Sequence, residues 1–333
     1  MPIAMPTVDD YVAGVLAGDR AMMGRAITLI ESRAERHRVM AQQVLTRLLP
    51  HAGKAHRIGI SGVPGVGKST FIETFGCNLT AESLKVAVLA VDPTSSRSGG
   101  SILGDKTRMA RLAADERAFI RPSPTSGHLG GVARATRETM IVCEAAGYDV
   151  VLVETVGTGQ SETMVADMVD FFLVLMLPNA GDELQGIKKG ILELADLIAV
   201  NKVDDEKDLK ARAAKRDYEN ALHILTPASS NWTPQVVMMS GLNNRNLDTL
   251  WEKIRDHRRI LTASGELTAK RHGQQKTWMW AMLQERLLHA FETHPQVAAL
   301  IPQMEQAVQD GTLTPTVGAE RLLGAFGLEA LTV

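Results

Sequence analysis

Apolar residues in the first 56 positions recur at helical spacing. Met22, Met23, Ala26, Ile27 and Ile30 form one stripe, with Asp19 placed to cap it. Val39, Met40, Val44, Leu45, Leu48 and Leu49 form a second, which ends at Pro50 and Gly53. The charged stretch 31–38 between them reads as a solvated face. From Arg57 the texture changes to short, nearly unbroken apolar runs at 57–61, 86–92, 150–154, 171–177, 197–201 and 236–240. Runs without alternation belong to strands buried on both faces, as in a parallel sheet. Helical stretches between them complete βαβ units. The pattern therefore predicts a doubly wound, mostly parallel α/β domain over 57–260, between helical extensions at 1–56 and 261–333. In the last of these, Trp278, Met279, Met282, Leu283, Leu287, Ala290 and Phe291 make an apolar stripe that stops at Pro295. Two shorter helices are expected near 296–309 and 316–325. Trp278 and Trp280 point to different faces of one helix, so either one of them meets a partner chain or both pack onto the α/β domain.

Length alone, 333 residues at roughly 150 per domain, predicts two domains or one domain with substantial extensions. The pattern selects the second, one domain with two extensions. Lys and Arg number 36 and Asp and Glu 38, a net charge of −2. No single-sign field is available for nucleic acid or a membrane surface. A hydrophobic share of 45% excludes global disorder, and with aromatics at 4% the cores must rely on aliphatic residues and the 15 Met. Two cysteines, Cys77 and Cys143, make neither a disulfide framework nor a zinc site by themselves. The longest apolar run, 171–177, is far short of the ~20 residues of a membrane span. The N-terminal MPIAMPTVDDYV lacks the basic-then-apolar order of a signal peptide, so a cytoplasmic protein is expected.

Candidate chemistry clusters at the carboxyl ends of the apolar runs, where ligands sit on such sheets. Gly62-Val63-Pro64-Gly65-Val66-Gly67-Lys68-Ser69 fits G-x-x-x-x-G-K-[ST], after a strand and before a helix. Its glycines let backbone N–H groups surround phosphate oxygens, and the helix N-terminus adds a positive dipole end. Lys68 would bridge the β- and γ-phosphates, Ser69 would ligate magnesium, and Thr70 would add a contact near the α-phosphate. A nucleoside triphosphate is the expected ligand.

Asn201-Lys202-Val203-Asp204 follows a later strand as N-K-x-D. A carboxylate at Asp204 can accept both N1–H and N2–H of guanine, a donor pair that adenine lacks. Asn201 would meet the acceptor edge of the base and the Lys202 stem its face. Ser240, Gly241 and Leu242, after the last run, would supply N–H groups to the guanine oxygen. Magnesium needs oxygen ligands, and Asp92, Asp105 and Glu154 are placed to supply them directly or through water. Glu154-Thr155-Val156-Gly157 has the form of a metal-side acid followed by a glycine that senses the γ-phosphate. Loops at 92–108, 154–162 and 178–189 have the composition of nucleotide-dependent switches, and Lys188 or Lys189 in the third, or Arg97 or Arg108 in the first, could reach the phosphates. No glutamine follows Gly157 directly, which predicts slow intrinsic hydrolysis that a partner accelerates. His128, in the Gly/Ser-rich stretch 123–131, is given no role.

GVPGVGKST, VDPTSSRSGGSILGDKTRM, RPSPTSGHLGGVARATRE, VETVGTGQSE and NKVD occur in that order. Together they resemble the MeaB/ArgK/MMAA family of P-loop GTPases, and the long middle blocks carry more of the resemblance than the phosphate loop does. The resemblance implies a SIMIBI-type G domain with helical extensions that form a homodimer, binding GTP or GDP with Mg2+. It also implies a chaperone of adenosylcobalamin-dependent methylmalonyl-CoA mutase that gates cofactor loading and protects the mutase from inactivation. Lys68, Asp92, Glu154 and Lys188 would be its catalytic residues. Ser69, Asp92, Asp105 and Glu154 would surround the metal. Two rivals stand beside it. A metallochaperone GTPase would need thiolates or a His-rich tract, whereas the 9 His are scattered. An ArgK-like kinase or transport ATPase would need an acceptor site and base, and none is visible in the motifs.

Overall fold

The computed structural model describes residues 5–32, 34–91, 108–122, 129–155, 162–178, 189–205, 207–225 and 227–328. It opens with helices α1 (Val8–Leu16), α2 (Arg20–Glu31) and α3 (Glu35–Leu48). Then come β1 (His56–Gly62), α4 (Lys68–Ala81), β2 (Val86–Val91), α5 (Ala110–Ala114), β3 (Ala118–Arg121) and α6 (Leu129–Ala145). The sheet continues through β4 (Val150–Thr155), α7 (Glu162–Ala166), β5 (Phe171–Met176), α8 (Lys189–Leu194) and β6 (Leu197–Val200). The remaining elements are α9 (Leu209–Ile224), β7 (Gln235–Met238), α10 (Leu247–Ala263), α11 (Glu266–Glu292), α12 (Pro295–Gln309) and α13 (Pro315–Phe326).

The seven strands form one sheet in the order β3-β2-β4-β1-β5-β6-β7, and every pairing is parallel. β2, β4, β5 and β6 are buried at every position, which is why they read as unbroken apolar runs. Six of the strands coincide with those runs. The seventh, β3, has only the four residues Ala118–Arg121, lies at the sheet edge and ends on a half-buried arginine. So short a run carries little periodic signal.

One apolar cluster lies on each face of the sheet. Phe71, Ile72, Phe75, Trp251 and Ile254 of α4 and α10 cover one. The other joins Met140 and Cys143 of α6 to Met23, Ile27 and Ile30 of α2, so the N-terminal helices share the core of the sheet. Asp19 caps α2 as its position implies, accepting from the N–H groups of Ala21 at 2.8 Å and Met22 at 3.1 Å.

The chain divides into two compact units, Met1–Arg271 and His272–Val333. In the second, α12 and α13 pack together, with the Phe291 and Phe326 rings 5.3 Å apart and Val297 and Met304 buried. No helix among the described residues is long and apolar enough to cross a membrane.

Candidate functional site

The phosphate-loop motif leaves β1 and enters α4 at the middle of the sheet. Gly62 lies so close to β5 that a Cβ there would stand 2.5 Å from the Leu175 carbonyl oxygen. Gly67 caps α4 in the left-handed region at φ 96°, and a Cβ on it would meet Asn201 Nδ2 at 3.1 Å. These two glycines are demanded by space and by backbone conformation respectively.

Lys68 is the first residue of α4 and is buried. Its Nζ donates to the carbonyl oxygens of Gly62 at 2.7 Å and Val63 at 3.3 Å. Burial pulls its ammonium below the usual lysine range, while the carboxylates of Glu154 and Glu162 oppose that shift. Ser69 Oγ donates to Glu154 Oε1 at 3.3 Å, which joins the first turn of α4 to the end of β4. Thr155, next on β4, donates to Ser61 Oγ at 3.2 Å. A hydroxyl beside a buried carboxylate is an all-oxygen donor pair, suited to a hard cation. Among the described residues no three His, Cys, Asp or Glu gather as a metal cluster. Asp92, Asp105 and Lys188 lie outside the described residues.

The second part of the site is wired to the first. Asn201 follows β6, is buried, and donates from Nδ2 to the Val66 carbonyl of the phosphate loop at 2.8 Å. Its Oδ1 accepts the Gly241 N–H at 2.9 Å. One amide therefore clamps three segments. Lys202 takes φ 62°, a left-handed conformation unusual for a residue with a side chain, and it sits where the strand gives way to the loop. Asp204 is exposed; Ser240 Oγ at 2.7 Å and Asn243 Nδ2 at 2.8 Å both donate to its Oδ1. Those bonds, Ser240 first and Asn243 second, hold its carboxyl below the ordinary carboxylate range. Reciprocal backbone bonds between Ser240 and Arg245, at 3.2 and 3.0 Å, close the turn that presents Gly241 and Leu242.

The structure thus brings Lys68, Ser69 and Glu154 together on one side, and Asn201, Asp204, Ser240 and Gly241 on the other. Two residues were not singled out from sequence. Glu162 opens α7, is buried and acts on Lys68; its place eight positions after Glu154 carries no motif. Asn243 shares Asp204 with Ser240, and its position three residues after Ser240 was the available signal.

With this geometry in place, the likenesses to known proteins are informative. A family model described as methylmalonyl Co-A mutase-associated GTPase MeaB matches residues 23–296. A protein of Caulobacter vibrioides that carries a GTPase name is 59% identical over 321 residues, covering 96% of this chain and 98% of that one. The mitochondrial methylmalonic aciduria type A homolog of Mus musculus is 48% identical over 329 residues, covering 96% of this chain and 79% of its own. A solved structure of a LAO/AO transport system kinase superimposes with a TM-score of 0.78 at 40% identity, covering 98% of this chain and all 100% of that one.

Proposed function

This chain belongs to the MeaB family of methylmalonyl Co-A mutase-associated GTPases, and we propose that it serves as the GTP-dependent chaperone of an adenosylcobalamin-dependent methylmalonyl-CoA mutase. It is a P-loop GTPase. In our reading the loop Gly62-Val63-Pro64-Gly65-Val66-Gly67-Lys68-Ser69-Thr70 holds the phosphates of GTP or GDP. Lys68 exchanges its bonds to the Gly62 and Val63 carbonyls for phosphate oxygens. Asp204 accepts the N1–H and N2–H of guanine, the Lys202 stem covers the ring, and Leu242 offers its N–H to the base oxygen, since the Ser240 and Gly241 N–H groups, expected to share that role, donate to the Arg245 carbonyl and to Asn201 Oδ1.

Mg2+ would be held by Ser69 and Glu154 with Asp92 and Asp105, and supplies neutralisation of phosphate charge during hydrolysis. Lys188 completes the set of catalytic candidates with Lys68, Asp92 and Glu154. Slow intrinsic turnover, raised by the mutase, is part of the same proposal, as is a cytoplasmic location. The observation that supports this reading is the bond from Asn201 to the Val66 carbonyl, which would tie the base-binding segment to the phosphate loop.

A homodimer through the second unit is also part of the proposal. Met279, Leu283 and Leu287 recur every four residues on α11 and are 52%, 42% and 56% exposed, an apolar stripe left open on the chain.

The test is co-purification and activity. The mutase is expected to be retained by the GTP-loaded protein and to gain operating lifetime with GTP but not with ATP. Retention indifferent to the nucleotide would sink the chaperone reading. The name of the structural neighbour, a transport-system kinase, supports a second reading, which phosphate transfer from a nucleotide to arginine would establish.

A further inference from the structure

We propose that the cleft between the N-terminal helices and the edge strand β3 binds a small organic phosphate ester with an apolar body. The cleft has a volume of about 540 Å³, within the ~300–1,000 Å³ of small-molecule sites. Its cationic wall comes from three places: Arg20 at the start of α2, Arg25 one turn later, and Arg121 at the end of β3. Tyr11 and Leu29, both buried, form an apolar floor. Among the described residues, no Asp or Glu lines the cleft.

The guanidiniums differ in their freedom. Arg121 is held by Glu31, through Nε at 3.2 Å and through Nη2, and Nη2 also reaches Thr28 Oγ1 at 3.3 Å. Glu31 therefore offsets its charge and fixes its orientation. Among the described residues Arg20 makes only long bonds, 3.4 and 3.5 Å from Nη1 to the Asp115 and Glu116 carbonyls, and its charge also acts on the Asp115 carboxylate. Arg25 is exposed. Arg25, together with what Asp115 leaves of Arg20, thus supplies the net positive charge, while Arg121, its Nε and Nη2 engaged by Glu31, offers the N–H groups of a fixed Nη1. Three guanidiniums offer more N–H groups than the two oxygens of a carboxylate accept, and suit the three terminal oxygens of a phosphate ester.

Gly24 adds an independent observation. It stands inside α2, where glycine is less favourable than alanine, and it lines the same cleft. A Cβ built on it meets no described atom within 4 Å, and its φ is not among the positive ones. Neither packing nor backbone conformation asks for glycine here. Its effect is to leave the floor of the cleft open beside Leu29.

The experiment is calorimetric titration of the full chain, saturated with GDP so that the phosphate loop is occupied, using 1-naphthyl phosphate as the probe. One site per chain is expected. Gly24→Leu fills the floor and Arg25→Glu reverses one charge, and each should weaken binding at least tenfold while GTP hydrolysis stays unchanged. If Gly24→Leu fails to fold, Arg25→Glu decides alone. The proposal is overturned if the unmodified chain does not bind the probe or if the variants bind it equally well. It is likewise overturned if neutral 1-naphthalenemethanol or the carboxylate 1-naphthoate binds as tightly as the phosphate.

Discussion

At the carboxyl ends of the strands, Asp204 accepts both of its bonds on Oδ1, and Lys68 rests on carbonyls of its own loop. At the amino ends, residues of the same types are used up by one another. Arg271 grips Asp170 with two bonds, Nε to Oδ1 at 2.8 Å and Nη2 to Oδ2 at 2.6 Å, and also donates to the carbonyls of Gly53 and Ala55. Lys270 donates to the Asp170 carbonyl at 2.8 Å and faces Asp196 at 3.6 Å. Arg57 pairs with Glu144. Burial pushes the Asp170 carboxyl up, but its bonds and charge interactions with Arg271, joined by Arg57, outweigh this and leave it below the ordinary range. Charged residues at a strand end do not by themselves mark a functional site. What separates the two ends is whether each group's bonding capacity is exhausted within the protein or still directed outward.

The sharpest way to break this contrast is to exchange the expected consequences. Arg271→Met strands a buried carboxylate, so it should destabilise the chain by about 3–5 kcal/mol in chemical unfolding while leaving GTP affinity per folded molecule unchanged. A loss of affinity in the folded fraction would mean that the amino end contributes to binding. Lys68→Ala should do the reverse, weakening GTP binding by roughly a hundred- to a thousandfold, about 2.7–4 kcal/mol, with the unfolding midpoint nearly unmoved.

A pH titration sharpens the same line. His56 packs on Trp251 with ring centroids 5.1 Å apart. Its pKa is lowered from 6.5 to about 4, by burial first and then by Arg258. The folded protein keeps the ring neutral, whereas the unfolded chain takes up a proton below about pH 6.5. Stability is therefore lost as pH falls from about 6.5 to 4, by up to roughly 3 kcal/mol. His56→Phe should abolish that slope in thermal scans without altering GTP turnover at pH 7.5.

The smallest expected effect is on base choice. Asp204→Asn replaces one of two acceptor sites with a donor, so GTP binding should weaken by about 2 kcal/mol while xanthosine triphosphate binding strengthens. Equal affinities before and after would remove Asp204 from the base site. Because Ser240 and Asn243 hold this carboxyl below the ordinary range, guanine preference should persist to lower pH than in Ser240→Ala.

Much of this could be read from the residues alone, for identifiable physical reasons. Strands buried on both faces have unbroken apolar runs, which made six of them visible. The phosphate loop and N-K-x-D are visible because each gathers its ligand-facing residue types within a few consecutive positions, although the bonds that hold Asn201 and Asp204 in place come from distant residues. β3 was missed because four edge residues hold no period, and Glu162 because its effect on Lys68 spans 94 positions. The amino-end cluster was missed for the same reason: Arg271 reaches Asp170, and Lys270 reaches Asp170 and Asp196, only after the βαβ units from β5 to β7 have closed, and no local pattern records their meeting. Local chemistry is written locally, whereas partnership made by topology is not.

The place of β1 in the sheet has a further consequence, for biosynthesis. It is the first strand made, yet its neighbours are β4 and β5, and Ile60 pairs with Glu154, a residue 94 positions later. At ~5–20 residues per second, the ribosome exposes β1 roughly 5–20 s before either flank exists. During that interval the nascent chain displays an apolar segment with both hydrogen-bonding edges open. Binding of nucleotide cannot rescue it, because the residue that braces the phosphate loop, Asn201, is made later still. The strand that carries the phosphate loop is therefore the one most in need of a holdase while the protein is being synthesised.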